Sequence, residues 1–165
     1  MKLNIRLHLL LHLWSQLRKL VISKIQGFGP NLDMYKFKII KNVKKLRGCV
    51  NWNEYFKLYP GIMAIVALDE NGDRVGQIAI TPDGWIVLLA VKPELRGNGL
   101  GSDLLAKAEK TMRKQGWEKA TLHPQREFED RLIPWYESKG YELTGYDEKI
   151  GEFIMQKNLQ RSEEA

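Results

Sequence analysis

The chain has 165 residues, 44% of them hydrophobic and 28% charged, and carries a formal net charge of +6. That composition fits one globular domain around a single core and excludes collagen-like, low-complexity and disordered chains. No uninterrupted apolar run exceeds seven residues, against about twenty for a membrane span, and the single cysteine, Cys49, rules out an internal disulfide or a cysteine-based zinc cluster within one chain.

The charge is uneven: residues 1–49 hold eleven Lys or Arg against one acid, Asp33, and so carry +10, while the remainder carries −4. A segment this basic attracts nucleic acid, an anionic membrane surface or an acidic partner, or simply forms a solvated face. Within it Leu3, Ile5, Leu7, Leu9, Leu11 and Leu13 alternate with polar residues, interrupted only by Leu10, as in a strand. Leu3, Leu7, Leu10, Trp14, Leu17 and Val21 also form a helical seam. Residues 1–33 therefore read as a basic amphipathic extension ahead of a domain over 34–159, or as that domain's first strand (Lys2–Leu9) and helix (Leu10–Ile25). The extension is the preferred reading. His8 and His12 break the apolar stretch and no small-residue cleavage site follows, so a signal peptide is not expected and the location is cytoplasmic.

After Gly27, Gly29 and Pro30, the alternation of Tyr35, Phe37 and Ile39 with lysines predicts a short strand. Residues 43–59 read as irregular or weakly helical. Ile62–Leu68 and the segment carrying Val75, Ile78 and Ile80 predict two strands joined by the Asn71-Gly72 turn. Pro82-Asp83-Gly84 turns the chain into Trp85–Val91, an apolar run that predicts a central strand buried on both faces and completes an antiparallel meander. From Gly99 to Gln115, Leu100, Leu104, Leu105, Ala108 and Met112 share one helical face, and Gly116 stops the helix. A short strand at Ala120–Leu122, a helical segment over Glu127–Lys139 that Pro134 kinks or restarts, and strands at Tyr141–Leu143 and Phe153–Met155 follow, with a polar tail over 160–165. The expected class is α+β, with helices packed on a mixed, mostly antiparallel sheet.

Between the run 85–91 and the first helix lies Val91-Lys92-Pro93-Glu94-Leu95-Arg96-Gly97-Asn98-Gly99-Leu100-Gly101. Alternating glycines at the mouth of a helix let backbone N–H groups converge where the helix dipole favours an anion such as a phosphate. The segment lacks the spacing of a dinucleotide fingerprint and the Gly-Lys-Ser/Thr ending of a nucleotide P-loop. Arg96-x-x-Gly99-x-Gly101, after a strand ending Val91-x-Pro93, resembles the acyl-CoA pyrophosphate motif of the GNAT superfamily of N-acetyltransferases. Trp135-Tyr136-Glu137-Ser138-Lys139-Gly140-Tyr141 resembles the second signature of that superfamily. The two signatures stand in the expected order, and the likeness covers roughly residues 61–158.

The resemblance implies a GNAT-like sheet splayed between the strands at 85–91 and 120–122, with acetyl-CoA as co-substrate in the opening. It implies that the pantetheine arm runs along Leu89, Ala90 and Val91. The pyrophosphate is then held by Arg96, Gly97, Asn98, Gly99, Leu100, Gly101 and Ser102. An amine attacks the thioester directly, without an acyl-enzyme, and Tyr136 is the implied donor to the departing thiolate. No motif supplies the base, for which His123 and Glu152 are candidates; histidine is the side-chain type suited to exchanging protons near neutrality. Many family members carry an Asn where this chain has Arg126-Glu127-Phe128-Glu129-Asp130, and these acids instead offer attraction to a cationic amine. No residue spacing points to a metal site.

The leading expectation is an acetyl-CoA-dependent N-acetyltransferase acting on a primary amine of a small molecule or protein, as a monomer or homodimer. The competing classes are a non-catalytic acyl-CoA-binding module and a nucleic-acid- or membrane-associated adaptor driven by residues 1–49.

Overall fold

The computed structural model describes residues 34–41 and 59–160, all of which fall within the unit Asp33–Ala165. The two readings of 1–33, the residues His8, His12 and Cys49, most of the stretch 43–59, and the tail beyond Gln160 lie outside the described residues. Among the described residues the chain forms β1 (Lys36–Ile40), β2 (Met63–Leu68), β3 (Arg74–Ile80), β4 (Trp85–Val91), α1 (Leu100–Lys114), β5 (Lys119–Leu122), α2 (Glu129–Glu137), β6 (Glu142–Asp147) and β7 (Glu152–Asn158). Short 3-10 turns at Pro93–Leu95 and Arg126–Phe128 lead toward the two helices.

The seven strands make one sheet in the order β1-β2-β3-β4-β5-β7-β6. β1 pairs antiparallel with β2, tight turns at 69–73 and 81–84 impose the same pairing on β2, β3 and β4, and the hairpin of β6 and β7 is also antiparallel. The Asn71-Gly72 turn closes as the sequence predicts: Asp69 Oδ1 accepts from the N–H of Asn71 and of Asp73, while Gly72 takes a positive φ of 83°. The only parallel pair is β4–β5, and it is registered at just two positions, Trp85 with Thr121 and Ile86 with Leu122. Beyond them the strands part, which is the splay expected of this fold.

This parting corrects the reading of 85–91 as buried on both faces. Only Ile86, at the paired end, is buried; Trp85, also paired, is half-buried, and the five residues from Val87 to Val91, which β5 does not flank, are half-buried as well. The fully buried strand is instead β2. Pro134 neither ends nor restarts α2; it sits inside the helix, which continues to Glu137.

α1 packs on β2, β3 and β4. Its seam of Leu100, Leu104, Leu105, Ala108 and Met112 is buried as read, in one core with Ile65, Ile78, Ile80, Leu122, Tyr136, Tyr141 and Met155. Each buried Leu or Met there contributes about 1.5–3 kcal/mol. Ile62, Ala64, Val66, Leu68 and Ala79 form a second cluster on the other face of the sheet.

One buried residue of α1 is charged. Glu109, 5% exposed, takes Lys157 of β7 at 2.8 Å and Arg113 at 3.5 Å, and Arg113 Nε also donates to the carbonyl of Leu159. A carboxylate this buried is tolerable only when paired. The helix that lies on β2–β4 is thereby bonded to the strand group on the far side of the splay.

The junction itself rests on Gly84. It holds φ at +88°, its carbonyl accepts from the Thr121 N–H at 3.0 Å, and a Cβ placed there would lie 2.7 Å from the carbonyl oxygen of Lys119. Gly84→Ala is expected to destabilise the protein by about 2–4 kcal/mol, or about 5–15 °C in Tm, through left-handed strain and displacement of β5. Calorimetry on the two proteins checks it, and an unchanged Tm contradicts this account of the junction.

Candidate active site

The end of β4, the glycine turn and the two helices meet where the sheet opens. Lys92 N–H donates to the Val75 carbonyl at 2.9 Å, so in the alternating antiparallel ladder Ala90 and Leu88 also direct their backbone groups toward β3. The N–H and C=O groups of Leu89 and Val91 point the other way, to the edge that β5 has left. Of the three residues read as a pantetheine track, Leu89 and Val91 turn their backbone groups to the edge that β5 has left, whereas Ala90 turns its own toward β3. Val91 O accepts a hydrogen bond from Arg96 Nε at 3.0 Å, which folds the turn back onto the strand.

Gly97 and Gly99 hold φ at +79° and +88°, and a Cβ at either would meet no atom within 4 Å. Gly99 caps α1 and no side chain supplies a capping hydrogen bond, so the first N–H groups of the helix, at Leu100, Gly101 and Ser102, have no intrahelical acceptor. These N–H donors and the positive end of a 15-residue helix suit a pyrophosphate. The residues present therefore fit acetyl-CoA. A Cβ at Gly101 would lie 3.9 Å from both Trp135 Cζ2 and Val91 Cγ2, so the second signature packs directly against the first.

Tyr136 is buried on the α-helical face of the sheet, with its ring edge-on to Trp135 at 4.8 Å and to Tyr141 at 5.6 Å. Burial pushes its phenol up to about 12. Tyr141 is shifted in the same direction, by burial first and then by the Glu109 carboxylate. Both hydroxyls keep their protons across the physiological range.

His123 follows immediately on Leu122, the last residue of β5 in register with β4, and so stands at the apex of the opening. Its ring stacks on Trp85 at 4.8 Å with planes 25° apart, and Nδ1 lies 2.9 Å from the carbonyl oxygen of Phe153. Ile86 faces the helices, so its neighbour Trp85, with His123 on it, lies on the opposite face from Tyr136. Glu152 starts β7, directly across from Asp147, beyond the stretch of β7 paired with β5 and next in sequence to Phe153.

The acids at Glu129 and Asp130 occupy the first turn of α2, where they complement the helix dipole. The stacking of Trp85 on His123 and the Glu109–Lys157 pair were not read from the sequence. Glu109 does sit next to Ala108 and four residues after Leu105, on the apolar seam, and that position was the available signal. Among the described residues no three His, Cys, Asp or Glu side chains converge as a metal site, and no helix is long and apolar enough to cross a membrane.

A splayed sheet with a glycine turn at the head of its central helix defines the architecture of an acyl-CoA-dependent transferase. Residues 40–141 match the model of the acetyltransferase (GNAT) family, and the chain belongs to that family. Acetyl-CoA is accordingly its co-substrate. No curated protein matches the sequence significantly. Among solved structures, the chain resembles a Klebsiella pneumoniae protein described as an acyl-CoA N-acyltransferase, with 23% identity, a TM-score of 0.59, and coverage of 76% of this chain and 98% of that one. It also resembles the Thermoplasma acidophilum PaiA N-acetyltransferase in complex with coenzyme A, at 18% identity and a TM-score of 0.54 over 74% and 99% of the two chains. A GNAT family acetyltransferase from Elizabethkingia anophelis with acetyl-CoA bound aligns at 12% identity and a TM-score of 0.57 over 74% and 97%.

The raised phenol of Tyr136 has a measurable consequence. The unfolded chain ionises this tyrosine near 10 and the folded chain near 12, so the stability it contributes is present below pH 10 and is lost as pH rises toward 12. Between about pH 9 and pH 11 this one group is expected to remove about 1–1.5 kcal/mol, with Tyr141 adding a contribution of the same sign. Urea unfolding of wild type and Tyr136→Phe across that range checks it: the variant loses that share of the slope.

Proposed function

We propose that the protein is a cytoplasmic N-acetyltransferase that moves the acetyl group of acetyl-CoA directly to a primary amine of a small molecule or protein. The observation that carries this reading is the glycine turn at the head of α1 beside the edge of Leu89 and Val91 that β5 has left, with the Tyr136 phenol on one face of the sheet and the His123 imidazole on the other. Bound acetyl-CoA supplies an activated thioester whose carbonyl carbon accepts the amine nitrogen. The N–H groups from Arg96 to Ser102 bind and neutralise the pyrophosphate, and the Leu89–Val91 edge orients the arm that leads from it.

An alkylammonium ion has an ordinary pKa near about 10 and must lose a proton before it attacks. His123 Nε2 takes that proton on one face of the sheet. On the other, the Tyr136 hydroxyl donates to the sulfur as negative charge develops there. A phenol near 12 is a weaker acid than a thiol at about 8.5, so Tyr136 acts by hydrogen-bond donation and keeps its own proton. As the C–N bond forms and the C–S bond breaks, the nitrogen's remaining excess proton goes to the departing thiolate, leaving amide and free thiol.

The test combines binding and turnover. Acetyl-CoA and CoA at a hundred times Kd are expected to stabilise the fold by about 2.7 kcal/mol, whereas ATP gives no shift. Release of free thiol is then followed with spermidine, lysine and an N-terminally free peptide as acceptors. Tyr136→Phe is expected to lower kcat about 10²–10³-fold with little change in the KM for acetyl-CoA, as for loss of one transition-state donor. Binding of acetyl-CoA without amine-dependent thiol release from any acceptor favours the non-catalytic module instead.

A further inference from the structure

We propose that Trp85 and the main-chain carbonyl of Phe153 are positioning elements that hold His123 as its Nδ1–H tautomer, leaving Nε2 as the only ring nitrogen able to accept a proton. The inference rests on the reading of His123 as the base and adds what makes that ring a competent one.

A carbonyl oxygen only accepts hydrogen bonds. With Nδ1 at 2.9 Å from Phe153 O, the hydrogen of the neutral ring therefore resides on Nδ1 and the lone pair on Nε2. Free histidine in water prefers the opposite arrangement, so the fold selects the tautomer. Phe153 O is itself well placed to do so. Phe153 pairs with Tyr146 of β6, its ring packs edge-on against Tyr146 at 5.2 Å, and β7 is anchored between β5 and β6 from Met155 onward.

Trp85 fixes what the carbonyl does not, the plane of the imidazole. Its backbone is fastened twice to Thr81: its N–H donates to Thr81 Oγ1 at 3.0 Å and its carbonyl accepts from the Thr81 N–H at 2.9 Å. The parallel register sets Trp85 beside Thr121, two residues before His123. Strand tether, stacked plane and carbonyl together leave the ring one orientation. Protonation does not disturb it. The imidazolium keeps its Nδ1–H on Phe153 O, now charge-assisted, and gains attraction to the indole face. The base thus begins and ends a proton transfer in the same place, with no ring flip between.

Long-range 1H–15N spectra of the histidine rings of the 15N-labelled full chain test this without any ligand. The sequence has three histidines, and His123→Gln identifies the signal of interest. At about pH 9, above the ordinary histidine range, His123 is expected to show a protonated Nδ1 and an unprotonated Nε2. A protonated Nε2, or the averaged pattern of free histidine, overturns the proposal. Trp85→Leu is expected to move the signal toward that averaged pattern and to lower amine-dependent thiol release about tenfold in kcat with the KM for acetyl-CoA unchanged. Trp85→Phe, which keeps a stacked ring, is expected to restore most of both. A pure Nδ1–H pattern with full kcat in Trp85→Leu removes Trp85 from the role. If Trp85→Leu fails to fold, Trp85→Phe still decides: an averaged pattern there overturns the proposal. Full turnover by His123→Gln with the Nδ1–H pattern intact in wild type instead sinks the reading of His123 as base and leaves the tautomer standing.

Discussion

Everything functional in this chain depends on a strand pairing that stops early. Two parallel registers join β4 to β5, and then the strands separate. Had the pairing continued, the backbone groups of Leu89 and Val91 would be consumed as sheet hydrogen bonds. Because it stops, the middle of a hydrophobic domain contains an open strand edge, a place where backbone polar groups need a partner from elsewhere. The fold tolerates that opening because the lost contacts are made up on either side. α1 covers β2–β4 with a seam of buried aliphatic residues, and β5 is paired to β7 along its full length of four residues.

The opening also separates two chemical tasks in space. The helical face supplies an apolar surrounding in which a phenol stays protonated, since desolvation penalises its anion. The other face carries the His123 imidazole, stacked on Trp85 with Nδ1 2.9 Å from the main-chain carbonyl of Phe153. A strand alternates its side chains between faces, so neighbours such as Trp85 and Ile86 serve the two sides from adjacent positions.

Much of the architecture was legible in the sequence because it is written in local periods and turns. The meander follows from Asn71-Gly72 and Pro82-Asp83-Gly84, and the buried seam of α1 follows from its leucine spacing. The family resemblance rested on Arg96, Gly99 and Gly101 and on the signature over 135–141; Gly99 serves a left-handed backbone conformation, and such residues announce themselves by their type. The misreading at 85–91 has a definite cause: an apolar run records what the side chains tolerate and says nothing about whether a neighbouring strand stays alongside. Long-range partnerships were also invisible. Glu109 and Lys157 lie 48 residues apart, and His123 meets a main-chain carbonyl 30 residues on, which no pattern of side chains can encode. Glu152 is equally silent in the sequence about its cross-strand neighbour, Asp147, which only the ladder of β6 and β7 reveals.

The ion pair between Glu109 and Lys157 has a mechanical meaning. The sheet consists of two leaves, β1–β4 and β5–β7–β6, hinged at the short seam of β4 and β5. A helix fixed to one leaf and bonded by a buried charge to the other is a clasp across that hinge. The clasp is short and directional, and its buried member, Glu109, is costly to leave unpaired. Spreading the two leaves would break that pair, so the charge that joins helix to far strand also opposes widening of the opening between them.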